Sequence, residues 1–262
     1  MSVGEGVAAP GLPAYYTRFI GREAEIDVVR RLLTAAYKDG PRLITLVGVG
    51  GSGKTRLAVE VARSVSSETG DDGSPIVDGV HWADLALLND ASRLPQTVAS
   101  ALDLHHAAHI DPVVALRAAL RDTRTLLVLD NCEEMVQACQ ELLDRLLRSC
   151  PGLVVLATSR EPLRTASGET LSLPPMSCAT AETDPAAPSE AAQLFYDRAG
   201  LVMPAYPLWT ATSIQSTRSA RGSTDSRSPS SWLPAGSECC RRGICLPRST
   251  TTLTCCRRRR RT

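Results

Sequence analysis

Gly48-Val49-Gly50-Gly51-Ser52-Gly53-Lys54-Thr55 is the segment of this sequence best suited to chemistry. It fits G-x-x-x-x-G-K-[ST] and lies between an apolar run and a helical pattern, as the mechanism requires. Glycines let backbone N–H groups turn inward around phosphate oxygens without Cβ clashes. The helix that starts near Lys54 adds the positive end of its dipole. Lys54 would reach the β/γ-phosphates, Thr55 would ligate Mg²⁺, and Arg56 completes the candidate nucleotide-binding set. The glycines at 48, 50 and 53 also satisfy G-x-G-x-x-G. That dinucleotide pattern wants an acidic residue at the end of the second strand, whereas Asp71 and Asp72 fall in a Gly/Ser loop before it. An unliganded glycine turn is the plain alternative.

Two further strand ends carry reactive groups. Leu126-Leu127-Val128-Leu129-Asp130 is an apolar strand ending in the carboxylate expected of a Mg²⁺ site in nucleotide hydrolases. The alternative is a buried strand followed by a capping Asp. A general base for water should follow Asp130, but Asn131 is an amide; Glu133 or Glu134 would substitute, Glu133 being the catalytic candidate beside Asp130, or else both are exposed helix residues. Thr158-Ser159-Arg160 follows the strand Leu153 to Ala157, where Arg160 would lie over the γ-phosphate if that strand neighbours the phosphate-loop strand. Otherwise it is a surface arginine.

The elements that must position these groups alternate in type. Strands are expected at Arg42–Val47, Gly79–Leu85, Thr125–Leu129, Leu153–Ala157 and Glu169–Leu173. Helical spacing occupies Arg22–Tyr37, Lys54–Val65, Leu94–Leu102, Pro112–Leu120, Glu133–Leu147 and Ser189–Ala199. Such alternation predicts an α/β fold, a parallel sheet of about five strands between two helical layers. Residues 1–18, punctuated by Gly and Pro, read as a leader strapped to the surface, and 19–205 as the nucleotide-binding domain.

Composition narrows the class. The 262 residues, 43% apolar and 22% charged, match a soluble globular chain rather than a collagen-like, disordered or membrane-embedded one. Apolar stretches are strand-sized, and the N-terminus has no basic and apolar signal pattern, so a cytoplasmic protein without membrane contact is expected. Cys132, Cys139, Cys150 and Cys178 lack C-x-x-C spacing and read as reduced, mostly buried thiols. His105, His106 and His109 lie in a loop-like stretch without nearby cysteine and do not make a metal site. Trp82 reads as core.

In combination these motifs resemble the STAND class of P-loop ATPases, in particular NB-ARC-like domains of large bacterial regulators of the LuxR and SARP types. Phe19-Ile20-Gly21-Arg22-Glu23, the phosphate loop, LLVLDNCEE at 126–134 and ATSREPL at 157–163 carry the resemblance. It implies a core sheet in which the strand ending at Ala157 separates the other two motif strands. It also implies that Phe19, Ile20, Gly21 and Arg22 lie along the adenine. Family members switch between ATP and ADP states with Mg²⁺, and some self-associate. Many act in transcription through DNA-binding domains, which are not visible in this chain. The amide at 131 predicts slow or no hydrolysis.

Residues 206–262 break the pattern. They hold 11 arginines against two acids, lack periodicity, and contain five of the nine cysteines. This irregular tail reads as a basic arm for nucleic acid or an acidic partner, or as the product of a reading-frame error in a truncated domain. Back-translated with G+C-rich codons and read one base earlier, Gly222–Ile244 yields the Gly-Leu-Pro-Leu-Ala segment that the resemblance leads one to expect, followed by an amphipathic helix. Codon choice supplies part of that match, but Trp232 has a single codon. The shift point would lie near Ala205–Leu208.

Overall fold

A computed structural model describes residues 11–70, 73–104, 110–165, 168–178 and 189–202. The chain divides into two units, 1–211 and 212–262, and the second lies wholly outside the described residues. The expectations for the tail and for Asp71, Asp72, His105, His106 and His109 therefore fall outside them too.

Six helices and five strands alternate among the described residues: α1 (Glu23–Ala36), β1 (Leu43–Val47), α2 (Lys54–Ser66), β2 (Gly79–Asp84), α3 (Leu94–Ala101), α4 (Pro112–Leu120), β3 (Thr125–Asp130), α5 (Val136–Ser149), β4 (Leu153–Ser159), β5 (Gly168–Ser172) and α6 (Glu190–Val202). The strands form one parallel sheet in the order β2-β3-β4-β1-β5. β4 thus stands between β1 and β3, as the resemblance implied.

β1, β3 and β4 are almost entirely buried because helices cover both faces of the sheet. Alternate residues supply the two cores. Leu126, Val128, Val154 and Leu156 join Ile44 and Leu46 against α1 and α2. Leu127, Leu129, Val155 and Ala157 face α3, α4 and α5 on the other side. Local signals agree: Asp111 caps α4 by accepting from Val113 N–H at 2.7 Å, with Pro112 in the first turn. Gly152 leads into β4 where a Cβ would stand 2.3 Å from the Thr123 carbonyl oxygen, so no side chain fits there.

Two expectations need correction. α5 begins at Val136, not Glu133: Asn131 takes a left-handed turn (φ 63°) and Cys132–Glu134 form a single 3₁₀ turn first. Trp82 is only half-buried, packed against the edge of a core on the edge strand β2. Cys178 is exposed, while Cys132, Cys139 and Cys150 are buried as expected.

Candidate functional site

Parallel strands end together, so the carboxyl ends of β1, β3 and β4 bring the three sequence motifs to one edge of the sheet. Register pairs Asp84 with Asp130, Leu46 with Thr158, and Val47 with Ser159. The phosphate loop leaves β1 at Gly48 and enters α2 through Gly53, whose φ of 94° favours glycine. Gly51 takes φ 76°, and Cβ atoms built at Gly50, Gly51 or Gly53 would meet nothing, so the loop frames open space. At Gly48, by contrast, a Cβ would stand 2.9 Å from Ser52 Oγ and 3.2 Å from the Leu173 carbonyl oxygen.

Lys54 curls back over this loop. Its Nζ donates to the carbonyls of Gly48 at 2.9 Å and Val49 at 3.1 Å, and the residue is buried. The Thr55 hydroxyl donates to Asp130 Oδ1 at 2.9 Å. Thr158 donates a short hydrogen bond to the same oxygen and accepts from Asn131 N–H at 3.1 Å. Asn131 Nδ2 bridges Asp130 Oδ2 and Asp84 Oδ1, each at 3.0 Å. Burial pushes the Asp130 carboxyl up; the hydrogen bonds from Thr158 and Thr55 oppose it, and the charges of Asp84 and Glu133 add to the rise. Two hydroxyl donors and one buried carboxylate beneath an open glycine loop suit a hard cation bound beside phosphate.

Glu133 and Arg160 come together. Arg160 Nε lies 3.1 Å from Glu133 Oε1, with the arginine side chain 63% exposed and the glutamate 14%. Glu133 is therefore neither an exposed helix residue nor free: one oxygen is paired and the other, Oε2, is buried without a hydrogen-bond partner.

The remaining candidates are engaged by other parts of the chain. Arg56 is held by Thr17, its guanidinium donating to the Thr17 hydroxyl and, at 2.6 Å, to the Thr17 carbonyl. It also lies 4.6 Å from the Tyr15 ring centroid and 5.9 Å from that of Phe19. Arg63 holds the Pro13 carbonyl at 2.9 Å, so the segment from Pro13 to Phe19 is fastened to α2. Ile20 and Gly21 (φ 72°) lead into Arg22, which is buried and bonded to protein atoms on every side described. Asp84 and Thr158 complete the cluster; Thr158 belongs to the Thr158-Ser159-Arg160 motif, whereas Asp84 lies outside every motif of the sequence. Asp84 ends the second strand as Asp130 ends the third; that likeness was the available signal.

A family model of the NACHT domain matches residues 42–199. The chain belongs to the NACHT domain family. This is the STAND class of P-loop NTPases that the motifs resembled. An uncharacterized protein of Mycobacterium tuberculosis is 36% identical over 185 residues, 71% of this chain and 42% of that protein. A putative HTH-type transcriptional regulator of the same organism is 39% identical over 167 residues, 64% of this chain and 17% of the regulator. The regulatory protein AfsR of Streptomyces griseus is 30% identical over 192 residues, covering 70% and 18%. The NACHT chain thus spans less than half the length of these relatives. Among solved structures, a STAND protein with a tetratricopeptide repeat sensor from Pyrococcus horikoshii aligns with TM-score 0.43 at 13% identity, covering 81% of this chain and 29% of its own. Among the described residues no helix is long and apolar enough to cross a membrane.

Proposed function

We propose that residues 19–205 act as a nucleotide-operated switch in transcription regulation, binding ATP or ADP with Mg²⁺ in the cytoplasm. The observation that carries this reading is the convergence of Lys54, Thr55 and Asp130 beneath the open glycine loop. Backbone N–H groups of Val49 to Thr55 would surround the phosphates, and Lys54 would exchange its two carbonyl partners for phosphate oxygens. Thr55 and Asp130 would hold Mg²⁺, which when bound offsets phosphate charge. Ile20 and Gly21 would border the base, with Arg56 fixing the adjoining wall and Arg160 nearest the outer phosphate. DNA contact, in this reading, belongs to domains found in relatives.

Lys54→Ala tests it. Arg56 is engaged by Thr17, so no second cation of the loop's first helical turn replaces Lys54. Calorimetric titration with Mg·ATP and Mg·ADP should show binding in the parent chain and none in the variant. Equal affinities would overturn the assignment.

A further inference from the structure

Glu190, the first residue of α6, reaches across 168 positions of sequence to accept a 2.8 Å hydrogen bond from Arg22 N–H at Oε1. Its Oε2 accepts from the Ser177 hydroxyl at 3.2 Å and from Ser177 N–H at 3.4 Å. The carboxylate sits directly on Gly21, where a Cβ would stand 2.8 Å from it. Gly21 and Arg22 are both left-handed, with φ of 72° and 68°, and a non-glycine residue in that conformation persists only when its surroundings hold it.

Arg22 carries the contact onward. Its Nη2 donates to the Pro174 carbonyl at 2.6 Å and, more weakly, to the Ser52 carbonyl in the phosphate loop at 3.4 Å, while Nη1 pairs with Glu25 at 2.7 Å. Two polar steps therefore join α6 to the phosphate loop. No residue of α6 is fully buried, and besides its half-buried Leu194 and Tyr196 it is tied down by polar contacts such as these and the bond from Arg198 to the Arg18 carbonyl at 2.9 Å. Elements attached this way lie at the low-stability end of a fold and are free to respond to a ligand. The hydrogen bond from Arg22 N–H is also the largest of the causes that hold the Glu190 carboxyl below its ordinary range.

We propose that Glu190 is a positioning residue for the phosphate loop: it sets the Gly21–Arg22 corner from which Arg22 supports the Ser52 carbonyl, and so links nucleotide affinity to the docking of α6. This rests on the nucleotide reading above. Because linkage is reciprocal, nucleotide must tighten α6 to the degree that α6 tightens nucleotide.

The test uses the full chain with Glu190→Ala and Glu190→Gln, read by calorimetry with Mg·ADP and by amide hydrogen exchange. Glu190→Ala should weaken binding about tenfold, the scale of one lost charge-assisted hydrogen bond, and speed exchange at Arg22 and through Ser52–Lys54. Glu190→Gln keeps an acceptor for Arg22 N–H and should recover most of the affinity. If Glu190→Ala does not fold, Glu190→Asp, which keeps the charge but withdraws the oxygen, makes the same comparison. Unchanged affinity together with unchanged exchange in the phosphate loop would reduce Glu190 to a surface tether and overturn the inference. If the parent chain binds no nucleotide, the functional reading falls instead, and phosphate-loop exchange in Glu190→Ala alone still decides the coupling.

Discussion

Thr55 and Asp130 stand 75 positions apart in sequence yet share a 2.9 Å hydrogen bond, hydroxyl to carboxylate, where α2 begins and β3 ends. Thr158 donates to the same carboxylate oxygen from the end of β4. The C-terminal ends of β3 and β4 and the first turn of α2 thus meet at one carboxylate.

The Asp130 carboxyl should titrate above 3.8, because burial outweighs the hydrogen bonds that favour its charge. A raised folded value means that Asp130 contributes stability fully below the unfolded value, and that this contribution is lost as pH rises through the folded one. Thr158→Val removes a charge-favouring donor and should push the titration higher still. Carboxyl-carbon NMR of both metal-free proteins checks this; a downward shift in the variant would contradict it.

Hydrolysis should be slow. Asn131 has an amide where a base is wanted, and its Nδ2 is spent bridging Asp130 and Asp84. Glu133 is tied to Arg160 by one oxygen. Phosphoryl transfer depends on positioning and charge stabilisation, so turnover below about 1 s⁻¹, the low end for enzymes, is expected. A phosphate-release assay giving several turnovers per second, abolished in Asp130→Ala, would refute this.

Arg56 should serve the leader more than the phosphates. Arg56→Ala should cost about 1–2 kcal/mol and open the segment from Pro13 to Phe19 to limited proteolysis, through loss of the Thr17 bonds and the Tyr15 contact. Arg56→Lys should not restore protection, because an ammonium cannot reproduce the two-point grip of a guanidinium.

Residues 206–262 divide two outcomes at the level of the gene. If the reading-frame expectation holds, restoring one base near codon 206 should yield a longer soluble chain that binds nucleotide more tightly. An early stop codon in the corrected frame would favour the basic arm, whose DNA binding should then fall steeply with salt.

The phosphate loop was legible because its chemistry is local: eight consecutive residues carry the glycines, the cation and the hydroxyl. Strand and helix types were legible for a similar reason, since strands buried on both faces must be continuously apolar and their covering helices amphipathic. The turn at Asn131 was not, because its left-handed conformation goes with bonds to Thr158, Asp130 and Asp84, which meet it only in the folded sheet. Asp84 joined the cluster only through strand register, and Arg160 met Glu133 rather than open solvent only because β4 lies beside β3. Motif spacing along the chain determined which groups could meet phosphate. Which hydrogen bonds those groups make with one another, and that Glu190 reaches the Gly21–Arg22 corner, was decided by packing between elements far apart in sequence.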